Sequence, residues 1–231
     1  MKRSKLYRAR LACIDRQSRY PLAAAVKLLK GMQVPKFDET VEIAFRLGID
    51  PRQSDQVVRG AIMLPKGTGK KVRVAVVAEG EAAQKARDAG ADVVGFEDLL
   101  ERIKGGWLEF DVLIATPDAM RVVRTLGRLL GPRGLMPNPK TGTVTDNTGT
   151  AVQESKGGRV EYRCDRAGCV HMPIGKVSFT PEDLVENAEV ATHTVLRARP
   201  ATAKGTYVLS ATLCATMSPG IRLDLKDMVK A

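Results

Sequence analysis

The spacing of apolar residues changes twice along this chain, and both changes fall at polar stretches that contain glycine, residues 65–71 and 153–158. Between them, short apolar runs at 72–78, 92–96 and 112–115 alternate with helical patterns at 80–89, 99–104 and 118–130. Alternation of this kind predicts a parallel sheet with helices on both faces. No Gly-x-Gly-x-x-Gly follows the first strand, so we expect a Rossmann-like domain without the dinucleotide fingerprint.

The two flanks of this middle part each carry too few elements for a core of their own. Residues 1–67 predict a helix at 21–30 and strands at 36–49 and 56–64. Residues 158–231 predict a hairpin, a helix from residue 181 and a strand at 206–216. We therefore expect an α/β protein in which a discontinuous α+β outer domain, 1–67 with 158–231, carries an inserted three-layer α/β domain, 68–157. The two crossings between these domains would form a hinge.

The charge balance is the unusual part of the composition. Lysine and arginine number 37 against 26 acidic residues, which gives a net charge of +11. Such a surplus predicts an anionic partner, with nucleic acid as the first choice and a membrane surface as the alternative. The apolar runs are far shorter than the roughly 20 residues of a membrane span, and the basic start lacks the apolar core of a secretory signal. We expect no membrane partner and a cytoplasmic location.

Residues that could carry chemistry are few. Gly69-Lys70 is followed by Lys71 and a strand, which does not fit a phosphate loop. Cys164, Cys169 and His171 have irregular spacing for zinc, so free thiols are expected. We predict no metal, no cofactor and no enzymatic activity. A nucleotide-dependent enzyme built on the middle domain and a general basic nucleic-acid binder are the rival interpretations.

Three basic segments could contact phosphates. The arm from Lys2 to Arg19 has seven basic residues against one acid. Arg121, Arg124 and Arg128 would share one face of a single helix. That helix leads into residues 131–144, where three prolines and three glycines predict a stiff irregular loop that presents Arg133 and Lys140. For each segment, phosphate binding and an ordinary solvated surface both remain open.

Phe37 stands beside Lys36 and before the predicted half-buried strand that contains Thr40. An aromatic ring in this setting could stack on an unpaired base for about 1 to 3 kcal/mol, and a core phenylalanine is the alternative. The last predicted strand places Tyr207, Leu209, Ala211 and Leu213 on one face. Its other face is nearly a row of hydroxyl groups: Ser210, Thr212, Cys214 and Thr216.

In collinear order over nearly its whole length, the sequence resembles the bacterial ribosomal protein L-one family, the first protein of the large ribosomal subunit. The resemblance rests on stretches such as Lys36-Phe37-Asp38-Glu39-Thr40, Asp50-Pro51-Arg52, Val58-Arg59-Gly60, Ala115-Thr116-Pro117-Asp118, residues 130–140, Gly175-Lys176 and Thr216-Met217. It implies the inserted two-domain architecture and a structural role in the ribosome. Ser218 is a departure, because the family usually has glycine after Thr216-Met217.

The resemblance further implies binding to the base of the mobile stalk of large-subunit ribosomal RNA. It also implies assistance in releasing deacylated tRNA from the exit site and, in some members, repression of the protein's own operon mRNA. The RNA-binding residues predicted for the outer domain are Lys36, Phe37, Thr40, Glu42, Arg52, His171, Lys176, Ser210, Thr212, Thr216, Met217 and Ser218. Those predicted for the inserted domain are Arg121, Arg124, Arg128, Arg133 and Lys140.

Overall fold

The computed structural model describes residues 3–32 and 35–225, and the chain divides into two compact units. Unit 1 comprises Met1–Gly69 and Val160–Ala231, and unit 2 comprises Lys70–Arg159. In chain order the elements are α1 (Lys5–Ala12), α2 (Leu22–Lys30), β1 (Thr40–Leu47), β2 (Arg59–Met63), β3 (Val74–Val77), α3 (Gly80–Asp88), β4 (Val93–Gly95), α4 (Glu97–Lys104), β5 (Val112–Ala115), α5 (Met120–Val123), a 3-10 turn (Arg124–Leu126), α6 (Gly127–Leu130), a second 3-10 turn (Pro139–Thr141), α7 (Thr148–Lys156), β6 (Arg159–Arg163), β7 (Cys169–Lys176), α8 (Pro181–Arg197), β8 (Val208–Ala215) and β9 (Ile221–Arg222).

Unit 1 is built on an antiparallel sheet with the strand order β7-β1-β8-β9. Alternate residues of β1, from Val41 to Leu47, are buried, while the residues between them are half-buried or exposed. Helices α2 and α8 contact each other and the sheet, so they cover its buried face. Because side chains alternate between the two faces, the polar residues lie on the opposite face, which is turned toward solvent, as is usual for antiparallel sheets. Strands β2 and β6 form a separate pair.

The alternation of β8 differs from the prediction at Leu209. Opposite β1, Arg46 pairs with Ser210 but Leu47 pairs with Val208, so Leu209 is an extra residue in the ladder. This bulge exposes Leu209 and buries Val208. The prediction that Leu209 shares a face with Ala211 and Leu213 was therefore wrong.

Unit 2 holds a parallel sheet in the order β4-β3-β5 with helices on both faces. Val74 and Val76 of β3 lie in one apolar cluster with side chains of α3 and α7. Ala75 and Val77 lie in another, with side chains of α4, α5 and α6. Adjacent residues of one strand thus serve two cores, which is the three-layer arrangement expected for a parallel sheet. The predicted α/β class is confirmed.

Two predicted segments of unit 2 were wrong in detail. The single helix at 118–130 is interrupted by the 3-10 turn Arg124–Leu126, which separates α5 from α6. The polar segment 153–158 is not a linker throughout, because residues 153–156 form the end of α7. That helix has a weak apolar pattern and buries Thr148 and Ser155 by hydrogen-bonding their hydroxyls to the carbonyls of Ala82 and Ala151.

The loop at 131–144 is tied to unit 2 through Asn138. Its side-chain oxygen accepts from the amide of Lys140 at 2.8 Å, and its own amide donates to Thr143 Oγ1 at 2.8 Å. The segment then pairs with the end of β5, where the amide of Ala115 donates to the carbonyl of Thr143 at 3.0 Å. Gly142 makes this turn possible with φ +67, and Arg159 donates to the neighbouring carbonyl of Thr141. The loop is therefore stiff, and Lys140 stands on it exposed.

We predict that Gly142→Ala destabilises unit 2 more than Gly134→Ala does. Both glycines have φ near +70, where an L residue costs about 1 to 2 kcal/mol. A Cβ at Gly142 would also lie 2.4 Å from the Arg159 guanidinium, whereas a Cβ at Gly134 meets nothing within 4 Å. Displacing that guanidinium from Thr141 adds a further 1 to 3 kcal/mol or so. Urea unfolding followed by the fluorescence of Trp107, the single tryptophan and a residue of unit 2, measures the free energy of unfolding of both variants. Equal losses of stability in the two variants would contradict the role given to Arg159.

Candidate nucleic-acid interface

The outward face of the four-stranded sheet carries most of the residues predicted for the outer domain. Residues opposite each other in an antiparallel pair point to the same face. Ala44 lies opposite both His171 and Thr212, and Arg46 lies opposite Ser210. Thr40 lies opposite Lys176. The predicted residues therefore form a band across three strands.

One end of this band is a compact group that we call the strand-end cluster: Lys36, Phe37, Thr40, Lys176, Thr216 and Met217. Thr40 and Thr216 are joined by three hydrogen bonds: Thr216 N donates to Thr40 O at 3.1 Å, Thr40 N donates to Thr216 Oγ1 at 3.2 Å, and Thr216 Oγ1 donates to Thr40 O at 3.4 Å. The ammonium group of Lys176 donates to Thr40 Oγ1 at 2.9 Å. Phe37 and Met217 are half exposed, at 50% and 51%. The alternative that Phe37 is a core residue is wrong.

A buried ion pair lies behind the strand-end cluster. Arg10 and Glu39 are each 2% exposed, and the guanidinium reaches both carboxylate oxygens, at 2.8 and 3.1 Å. The amide of Met217 donates to the same carboxylate at 2.7 Å. Arg10 is thus a core residue, although the sequence placed it among the phosphate-contacting residues of the arm. Lys2, from the same arm, lies outside the described residues.

A signal for this pair was present in the sequence. The buried positions of β1 are odd-numbered, from Val41 to Leu47, and the same phase continued backwards places Glu39 on the inner side. A buried carboxylate needs a charged or hydrogen-bonding partner. Glu39 therefore required a buried cation or a set of hydrogen-bond donors, and the sequence alone did not identify the residues that supply them.

The middle of the band contains an acidic group. Cys214 Sγ donates to Glu42 Oε1 at 3.5 Å, and His171 Nδ1 lies 4.0 Å from the same oxygen. Burial, together with the nearby Glu42 charge, raises the pKa of Cys214 to about 12. The thiol is protonated at neutral pH and cannot act as a nucleophile. Glu42 offers acceptors for hydroxyl or amino donors, which suits ribose and base edges better than phosphate.

Ser210 and Arg52 lie far from the strand-end cluster. Ser210 pairs with Arg46, near the opposite end of β1, and Arg52 follows that end in a turn where its amide donates to Asp50 Oδ1 at 3.1 Å. The two ends of the eight-residue strand β1 are seven rises apart, which is roughly 22 to 24 Å. The structure therefore places these two residues at the far end of the band.

Ser218 closes the turn that follows β8. Its amide donates to Ala215 O at 3.0 Å, and its hydroxyl accepts from Ala215 N at 2.7 Å. The expected hydrogen bond from this hydroxyl to RNA would compete with that turn. Among the described residues no non-glycine has a positive φ, so serine stands at this position without left-handed strain.

The five basic residues predicted for the inserted domain are all exposed in unit 2. Arg121, Arg124 and Arg128 fall on three successive short segments, α5, the 3-10 turn and α6. Because a 3-10 turn winds faster than an α-helix, their spacing does not ensure one shared face. The structure shows solvent-accessible cations there and leaves their common target as a prediction.

The part of the chain that the structure describes offers no other kind of site among those considered from the sequence, namely a metal centre, a disulfide or a membrane span. No group of His, Cys, Asp and Glu there could hold a metal ion, and Cys13, Cys164, Cys169 and Cys214 are free thiols. No helix within residues 3–32 and 35–225 is long and apolar enough to cross a bilayer.

A comparison with models of known protein families gives a match to the family described as Ribosomal protein L1p/L10e, over residues 28–219. The matched region includes every member of the strand-end cluster and all of unit 2. It begins after α1.

We predict that Glu39→Gln destabilises unit 1 by about 3 to 5 kcal/mol, because it leaves the Arg10 charge buried without its carboxylate. The double variant Arg10→Met, Glu39→Gln removes that charge and should recover much of the loss. Far-UV circular dichroism follows the denaturant unfolding of both units, and Trp107 fluorescence follows unit 2 alone, so a destabilisation seen only by circular dichroism belongs to unit 1. Equal destabilisation of the single and double variants would show that the ion pair is not the source.

Proposed function

This chain belongs to the ribosomal protein L1p/L10e family, and we propose that it binds the stalk of large-subunit ribosomal RNA through the strand-end cluster and the band beside it. Family membership makes it an RNA-binding structural constituent of the large ribosomal subunit and not an enzyme. The stalk as the binding site, the residues that contact it and a cytoplasmic place of action are parts of the proposal.

The observation that carries this proposal is the mixed chemistry of the strand-end cluster. It combines a half-exposed aromatic ring at Phe37, an exposed thioether at Met217 and the hydroxyl groups of Thr40 and Thr216. A surface for duplex phosphates would need little beyond cations. Aromatic and hydroxyl groups at one sheet end suit splayed bases and riboses, which is how proteins usually read RNA sequence.

Hydrogen-bonding capacity at the cluster is suited to ribose. The Lys176 ammonium has three donors and contacts Thr40 Oγ1 and, at 3.4 Å, the carbonyl of Asp38. The Glu42 carboxylate lies one position further along the same face and can accept from a 2′-hydroxyl. This pairing of a cation and an acceptor supports discrimination of RNA from DNA.

We further propose that the exposed cations of unit 2 contact RNA phosphates, and that they assist release of deacylated tRNA from the exit site. Arg121, Arg124, Arg128, Arg133 and Lys140 are all exposed cations of this unit, and such side chains suit phosphate contacts. Repression of the protein's own operon mRNA completes the proposal. A message that copied the stalk structure would compete for the strand-end cluster, because the same groups would bind both RNAs.

We predict that Phe37→Ala weakens binding to a stalk RNA fragment by about 1 to 3 kcal/mol, the usual contribution of one stacked base. Met63→Ala is the matched control, since Met63 is also in unit 1, is 51% exposed and lies on the separate β2–β6 pair. Dissociation constants at one fixed salt concentration, measured for the stalk fragment, the operon leader and an unrelated hairpin, test the proposal. If both variants had equal effects, or if all three RNAs bound with equal affinity, the protein would be a general basic nucleic-acid binder without selectivity for the stalk.

We also predict that changing Arg121, Arg124 and Arg128 together to Gln flattens the dependence of affinity on salt, by up to about one unit of slope per lost phosphate contact. The control changes Lys71, Arg87 and Lys104 to Gln, which removes the same charge from other exposed positions of unit 2. The slope of log affinity against log salt on ribosomal RNA and on deacylated tRNA is the measurement. Indistinguishable slopes for the two triple variants would assign the three arginines to ordinary solvated surface.

A further inference from the structure

A pocket of about 370 Å³ lies between the start of α1 and the turn that follows β8. Arg3, Ser4, Leu6 and Tyr7 line it from the helix, and Thr216, Met217 and Ser218 line it from the turn. Two of these residues, Thr216 and Met217, belong to the strand-end cluster. The family match begins at residue 28, so the helical wall of the pocket lies outside it.

The two walls are joined by the buried carboxylate of Glu39. It binds the guanidinium of Arg10 on α1 and the amide of Met217 in the turn. At the other end of α1, Ser4 Oγ caps the helix by accepting from the amide of Tyr7 at 3.2 Å. The pocket is therefore held in shape by the fold, which lowers the ordering cost of ligand binding.

The serine and threonine hydroxyl groups around the pocket are engaged by the fold itself. Ser4 Oγ caps α1, Thr216 Oγ1 bonds to the backbone of Thr40, and Ser218 Oγ bonds to that of Ala215. Apart from the Arg3 guanidinium and the Tyr7 hydroxyl, the side-chain surfaces left to a ligand are apolar or polarisable. They are the ring of Tyr7, with the Arg3 guanidinium 4.7 Å from its centroid, and the half-exposed thioether of Met217. Surfaces of this kind hold planar π systems by stacking and cation–π attraction.

We propose that this pocket receives one unpaired nucleobase of the RNA that occupies the strand-end cluster, and that it holds the base by stacking, without distinguishing among the four bases. The inference rests on the proposed function, because the pocket shares Met217 with that cluster. Its volume lies in the lower part of the range for small-ligand sites, which suits a single base. Base–aromatic stacking tolerates any base because every base has a π face.

The test is an abasic scan of the stalk fragment, in which each unpaired nucleotide in turn loses its base. With the unaltered protein, we expect one position outside the Phe37 contact at which base removal weakens binding about 5- to 150-fold. Exchanging the four bases at that position should change affinity by less than about 3-fold. In Tyr7→Leu, which keeps an apolar side chain but removes the π face, the abasic penalty at that position should vanish. In Phe37→Ala the same penalty should persist.

Circular dichroism of Tyr7→Leu checks that the variant is folded. A second variant, Arg3→Met, changes an exposed position of the pocket and should reduce the same abasic penalty. If no RNA position couples to Tyr7 or Arg3 while Phe37→Ala still weakens binding, the pocket proposal is overturned and the proposed function stands. If base identity at the coupled position changes affinity strongly, stacking without discrimination is overturned. If Phe37→Ala also has no effect, both proposals fail.

Discussion

The buried carboxylate of Glu39 is the interaction on which the candidate interface depends. A lone charge in a core is very costly, so Glu39 requires full pairing, and it obtains this from Arg10 and from the amide of Met217. Buried ion pairs often contribute little net stability compared with apolar side chains of the same size. This pair instead fixes the positions of the segments that carry it. It joins three segments that are remote in sequence: the first helix, the start of β1 and the turn after β8.

The interface then follows from the geometry of β1. Glu39 points inward, so Thr40 points outward, where it meets Lys176 of β7, which lies opposite it, and Thr216, which directly follows β8. Register shifts lie at both ends of the band, between Val41 and Glu42 against β7 and between Arg46 and Leu47 against β8. Bulges turn side chains away from the regular pleat. Side chains at the two ends of the band therefore point in directions that a regular sheet would not give them. The end near the first bulge is where the Lys176 ammonium donates to Thr40 Oγ1.

Local patterns predicted most of the architecture, and tertiary effects explain the rest. The alternation of apolar and polar residues predicted strand β1, and the continuous apolar run Val112–Ala115 predicted strand β5. Both predictions succeeded because the burial of each strand is visible in its own sequence. Helix α7 was missed because two of its four buried residues are Thr148 and Ser155, whose hydroxyls bond to carbonyls, so its inner face has only Ala151 and Val152 as apolar residues. The bulge at Leu209 and the partner of Glu39 depend on strands and helices distant in sequence. Phe37, Thr40, Thr216 and Met217 could be named from family resemblance, but the ion pair beneath them could not.

In the proposed interface, the charge of the protein and the chemistry of its strand-end cluster would contribute differently to RNA binding. A surplus of 11 positive charges attracts any polyanion, and that attraction weakens as salt rises. It cannot by itself select one RNA. Selection requires groups held at fixed positions, and the strand-end cluster has them because Glu39, Thr40 and Ser218 anchor its backbone from within. If Phe37 were mobile, the entropy lost on ordering its side chain would offset much of the free energy gained by stacking. A ring presented by an anchored strand end has less entropy to lose, so more of the stacking free energy remains. In the proposed interface, the rigid core beneath the cluster would therefore contribute to recognition without contacting a nucleotide.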